Sequence, residues 1–193
     1  MSIDAPKRIH DFNSTIKLIV IIRDPVIRAV SQLTHKMDKK KIKFDPSQYE
    51  NGSKLFEEKF LDEEGNIKTR IKDQLVSRGR YVESFKRWFK YFPKELIVVL
   101  NVVNFILNPY EEIKKMETFL GLKPLFQKEH FVYVKDKGFF CLRRDLNSKE
   151  IDCMDKNKGR LPFIPESLLN KLRDYYSSYN IELFELIDEQ PFW

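Results

Sequence analysis

Hydrophobic positions along the chain fall into two kinds of run. Lys17 to Arg23 (KLIVIIR) and Leu96 to Leu100 (LIVVL) are unbroken and mostly β-branched, the pattern of strands buried on both faces, as in a parallel sheet. Asp24-Pro25 follows the first run at once. Asp is a good N-cap and Pro a favoured first helical residue, so a helix is expected here, with Val26, Ala29, Val30 and Leu33 on one face. Tyr81, Val82, Phe85, Trp88, Phe89 and Phe92 recur at helical spacing and predict an amphipathic helix ending before Pro93. The stretch between the two strands is long enough for a helical crossover, which makes them parallel.

Asn108-Pro109 predicts a capped helix bearing Ile113, Met116, Phe119 and Leu120 and closed by Gly121. A last helix is expected from Pro165 to Asn180, striped by Leu168, Leu169, Leu172, Tyr175, Tyr176 and Tyr179, with the apolar segment Ile181 to Ile187 continuing it. Two stretches break the pattern. From Lys36 to Lys72 the basic run Lys39-Lys40-Lys41, Asp45-Pro46, Asn51-Gly52 and Glu63-Glu64-Gly65 suggest connecting structure with a short helical piece around Ser53 to Leu61. Residues 123 to 165 are read as irregular. Strand, tight turn and helix in succession are how α/β proteins set a helix N-terminus beside a phosphate, so the expected class is α/β, a parallel sheet flanked by helices.

Composition narrows this further. At 193 residues, 1–193 is expected to be one domain, and 42% hydrophobic residues are enough for a sizeable core. The net charge of +6 suits an anionic partner or simply a well-solvated surface. No run reaches the roughly 18 apolar residues of a membrane span, and the start shows neither anchor nor signal peptide. Cys141 and Cys153, twelve positions apart, are too few for a four-thiolate zinc site and suit either two free thiols or one short bridged loop. The sequons at Asn13 and Asn51 lean towards a secretory compartment.

Arg23 stands at the carboxyl end of the first strand and Ser31 eight residues on. An arginine fork and a hydroxyl can grip one phosphate; the same residues also suit a surface ion pair and a helix face. In Lys156-Asn157-Lys158-Gly159-Arg160, Gly159 lets backbone amides and cations converge on one anion, or the stretch is an ordinary charged loop. No Walker A loop, G-x-G-x-x-G, H-E-x-x-H or recognised nucleic-acid motif occurs. His10, His35 and His130 are scattered and predict no metal site.

Several spaced motifs share one order: Ala5-Pro6-Lys7-Arg8-Ile9, KLIVIIRDPVIRAVS from Lys17 to Ser31, Gly79-Arg80-Tyr81 with Trp88, Phe119-Leu120-Gly121-Leu122, His130-Phe131, Lys137 to Cys141, and Cys153 before Lys158-Gly159-Arg160. In this they resemble the carboxyl-terminal two-thirds of a heparan sulfate glucosaminyl 3-O-sulfotransferase of the Golgi sulfotransferase superfamily. The resemblance covers about Ala5 to Trp193. It implies a P-loop-NTPase-like sulfotransferase fold that passes a sulfuryl group from 3′-phosphoadenylyl sulfate to a glucosamine hydroxyl of heparan sulfate in the Golgi lumen. By that resemblance Arg23 and Ser31 match the grip on the cofactor's 3′-phosphate. Lys158, Gly159, Arg160, Leu161 and Pro162 match a loop on the cofactor, with Lys158, Arg160 and His35 facing the sugar. Cys141 and Cys153 match the family disulfide.

The sequence also departs from that pattern. The family's first strand, its lysine-bearing loop for the 5′-phosphosulfate and its general-base glutamate precede the Ala-Pro-x-Arg-Ile match and are not found in this sequence, so no catalytic residue is assigned. His35 stands where relatives commonly have glutamine, and Gln32-Leu33 replaces a usual Asp-Tyr. The chain by itself is therefore expected to be inactive or weakly active, or else to serve as a binding module for adenosine 3′,5′-bisphosphate and sulfated polysaccharide. Lack of a general base alone removes about 10²- to 10⁴-fold in rate. Sulfuryl transfer by the purified chain near the rate of a complete enzyme contradicts this expectation.

Overall fold

The computed structural model describes residues 4–39, 49–69, 74–153 and 164–193. They fall into two compact units, Met1–Arg23 with Trp88–Lys158, and Asp24–Arg87 with Gly159–Trp193.

In the first unit, helix α1 (Ala5–Phe12) precedes strand β1 (Leu18–Ile22), which pairs in parallel with β2 (Ile97–Asn101), Leu18 opposite Ile97 and Ile22 opposite Asn101. The β-branched runs thus form parallel strands as expected, but β1 is not buried on both faces. Ile19 and Ile21 are 39% and 55% exposed. The burial alternates along β1, so one face of the strand is covered and the face carrying Ile19 and Ile21 is not. After β2, the Asn101 side chain accepts from the Val103 amide and caps α6 (Val102–Leu107). Then α7 (Pro109–Leu120) opens at Pro109 with no side-chain cap from Asn108 and ends at Gly121, whose φ of 73° is the left-handed stop that glycine accepts freely. Its most buried members are not the expected apolar residues but Pro109, Glu112 and Glu117.

The structure corrects the reading of residues 123 to 165 as irregular. Strands β3 (Phe131–Val134) and β4 (Phe139–Leu142) form an antiparallel hairpin, and the amides of Lys137 and Gly138 both return to the Val134 carbonyl. Gly138 sits at φ 76°, and the apolar residues either side of this turn supply the two strands.

The second unit contains α2 (Pro25–Lys39), α3 (Tyr49–Phe60), α4 (Gln74–Ser77), most of α5 (Tyr81–Trp88) and the long α8 (Glu166–Ile187). The Val26 amide donates to Asp24 at 2.7 Å, so the expected cap forms. Val26, Ala29, Val30 and Leu33 pack with Phe56, Phe60, Val76, Ile164, Leu168, Leu172 and Tyr176 in one buried cluster. The amphipathic helix ends at Trp88, a turn earlier than predicted. There the Tyr91 amide turns back to the Trp88 carbonyl three residues earlier, tightening the chain ahead of Pro93. The last helix is continuous to Ile187, and its former two segments are one element.

Tyr176 holds this unit together. Its hydroxyl donates to the Val76 carbonyl at 2.8 Å, and a Cβ placed at Gly79 would lie 2.7 Å from its ring. No side chain fits at Gly79 without moving a fully buried ring. Gly79→Ala is therefore expected to cost about 1–3 kcal/mol in denaturant unfolding, the range for overpacking a core.

Burial also pushes the Tyr176 phenol above its ordinary value of 10.0. The unfolded chain then loses that proton before the folded one does, so stability falls as pH rises above 10. Tyr176→Phe should cost about 1 kcal/mol at neutral pH, from the lost bond to Val76, and flatten that alkaline decline. Unfolding free energies measured at neutral and alkaline pH check both.

Candidate functional site

The carboxyl ends of β1 and β2 are level, because Ile22 pairs with Asn101. Arg23 directly follows and is half-buried. Beside the end of β2 lies a polar network that the sequence does not announce. Glu112, 1% exposed, accepts from Asn104 and from Lys115, each at 3.1 Å. Nothing in sequence separates Glu112 from an ordinary acid in a first helical turn; only the packing of α7 on β2 and α6 buries it. Glu117 does a related job at the other end of α7, accepting the Leu125 and Phe126 amides and so setting the course of the chain towards the hairpin.

In the second unit, α2 presents two faces. The apolar one is the core stripe; the other carries Arg28, Ser31, Gln32 and His35, which recur every three or four residues. Ser31 is half-buried and His35, one turn further, is exposed. Arg28 donates to Gln32 at 2.7 Å and to the Leu75 carbonyl. Neither contact of Arg28 was foreseen, although the spacing of four to Gln32 permitted the first.

Around α8, burial pulls the Arg80 guanidinium down while its hydrogen bond to Tyr179 and the charge of Glu83, 3.1 Å away, outweigh it and raise its pKa. Tyr175 is raised chiefly by burial.

Cys141 and Cys153 are bonded. The bridge is doubled by a pair of backbone bonds between Leu142 and Asp152, at 2.9 and 2.7 Å, and by an ion pair from Arg144 to Asp152. Together they pin the chain immediately before residue 154. Lys158, Gly159, Arg160, Leu161 and Pro162, the expected cofactor loop, lie outside the described residues, as do Lys156 and Asn157.

Of the two sequons, Asn13 is exposed and its side chain accepts from the amide and the hydroxyl of Thr15, while Asn51 falls within α3. His10 packs against the rings of Tyr91 and Phe92, and the His130 Nδ1 receives the Gln127 amide. A cavity of about 710 Å³ is lined by Glu58, Leu61, Asp62, Glu63, Glu64, Ile67, Lys68 and Thr69. Its carboxylates disfavour a phosphate, and neither Ser31 nor His35 lines it. No described helix is long and apolar enough to cross a membrane.

Comparison with known proteins agrees with this architecture. The chain is 30% identical over 193 residues to mouse heparan sulfate glucosamine 3-O-sulfotransferase 3B1, covering 98% of this chain and 46% of that one. It is 30% identical over 191 residues to human heparan sulfate glucosamine 3-O-sulfotransferase 3A1, covering 98% and 45%. For human heparan sulfate glucosamine 3-O-sulfotransferase 5 the identity is 29% over 191 residues, covering 98% and 53%. The chain thus spans about half the length of these relatives. Its fold matches that of a sulfotransferase from Alicyclobacillus acidocaldarius with a TM-score of 0.59, at 16% identity, over 98% of this chain and 61% of that one. The model of the sulfotransferase domain matches residues 6–180, and the chain belongs to that family.

Proposed function

We propose that this chain forms the 3′-phosphate-binding and acceptor-facing part of a heparan sulfate glucosaminyl 3-O-sulfotransferase. The observation that carries the reading is identity of about 30%, sustained over 98% of the chain, to enzymes of that name. The donor is 3′-phosphoadenylyl sulfate, which when bound supplies the sulfuryl group for in-line transfer to a glucosamine 3-hydroxyl.

The work of the chain's own residues is holding and orienting. The Arg23 guanidinium and the Ser31 hydroxyl are both donors suited to an oxyanion. The carboxylate between them in sequence, Asp24, accepts the Val26 amide and caps the start of α2, a helix N-terminus of the kind that suits an oxyanion. Lys158 to Pro162, which lie outside the described residues, are assigned to the cofactor, and His35, Lys158 and Arg160 to the acidic sugar. Positioning supplies most of what such a site adds to the rate of an in-line displacement. The Cys141–Cys153 bridge suits an oxidising compartment, in keeping with the Golgi lumen.

Titration with adenosine 3′,5′-bisphosphate tests the reading. Binding by the wild-type chain should weaken about ten- to a hundredfold in Arg23→Ala and about tenfold in Ser31→Ala, as expected for hydrogen bonds to a charged group. No binding by the wild type, or unchanged affinity in both variants, contradicts it.

A further inference from the structure

Ser31 can meet a phosphate only if α2 holds one rotation about its axis. The apolar stripe does not guarantee this. Val26, Ala29, Val30 and Leu33 are short or medium side chains against other apolar groups, and such contact is non-directional. A turn of about 20° moves a side-chain oxygen at the helix surface by about 2 Å, a displacement that matters greatly to a positioned contact.

The directional contacts of α2 come from its polar face. The Arg28 fork donates to Gln32 on its own helix and to the Leu75 carbonyl on α4, and it faces the Tyr176 phenol. The next carbonyl of α4, Val76, receives the Tyr176 hydroxyl from α8. Two consecutive carbonyls of α4 are thus taken by two neighbouring helices. Tyr176 itself is fully buried, with its ring close against Gly79.

We propose that Arg28 is a positioning residue for the cofactor site: by tying α2 to the Leu75 carbonyl beside the Tyr176 phenol, it sets the rotation of the helix and so aims Ser31 at the 3′-phosphate. This rests on the reading that Ser31 contacts that phosphate. Arg28 touches no ligand in this scheme and acts through Ser31, three residues on along the same face.

The test is a double-mutant cycle read by calorimetric titration with two probes, adenosine 3′,5′-bisphosphate and adenosine 5′-monophosphate, which lacks the 3′-phosphate. Arg28→Met should weaken the bisphosphate about tenfold and leave the monophosphate unchanged, and it should add nothing on a Ser31→Ala background. Arg28→Lys keeps the charge without the fork and should recover part of the loss. It carries the same comparison if Arg28→Met does not fold.

Equal weakening of both nucleotides, or a full further loss on the Ser31→Ala background, overturns the inference. A 3′-phosphate preference abolished by Ser31→Ala but intact in the Arg28 variants overturns it while leaving the 3′-phosphate reading in place. Indifference of the wild type to the 3′-phosphate overturns both.

Discussion

The ring of Tyr176 fills the space that any side chain at Gly79 would need, and its hydroxyl satisfies the carbonyl of Val76 inside the core. This close approach sets the order of the second unit. It requires glycine at the start of the Gly79-Arg80-Tyr81 turn and holds the single-turn helix α4 against α8. It also places a polar group at the centre of an otherwise apolar cluster, where its bond to Val76 must be made. The core face of α2 packs on the same cluster. Precision in the helix that carries Ser31 therefore begins with a buried phenol 145 positions away in the chain.

The first unit depends on a different economy. Among the described residues its strands form one parallel pair and one hairpin, and much of the remaining order comes from buried carboxylates and one covalent bridge. Glu112 gathers Asn104 and Lys115, Glu117 turns the chain after α7, and the bond from Cys141 to Cys153 fastens the segment after β4 to the hairpin. A buried carboxylate is costly unless its bonds are made. These acids therefore specify one arrangement of α6, α7 and the segment that follows rather than merely adding stability.

How much of this was legible depended on the range of the interaction. β1, β2 and the start of α2 were read correctly because their signals are local: β-branched runs, Asp24 before Pro25, and a stripe at helical spacing. The hairpin at Phe131 to Leu142 was missed even though its residues alternate about a glycine turn, because lysines and aromatics crowd the segment and blur the period. Exposure of Ile19 and Ile21 was not legible, since a strand's apolar run does not say whether both faces of its sheet are covered. Nor was the burial of Glu112 or the reach of Arg28 to Leu75, since both depend on partners brought in by tertiary packing. Arg23 and Ser31 enter the proposed site from the order of the family's motifs, and the cysteine pairing from the same resemblance, whereas Arg28 became visible only when its contacts were known.

In the proposed function, Arg23 and Ser31 are assigned to the 3′-phosphate of the sulfuryl donor. Hydrogen–deuterium exchange of the chain with and without adenosine 3′,5′-bisphosphate tests that directly. The account predicts slower exchange on binding in residues 22–32, with smaller change in the β3–β4 hairpin. Protection confined to other segments, with residues 22–32 exchanging as in the free chain, would contradict it.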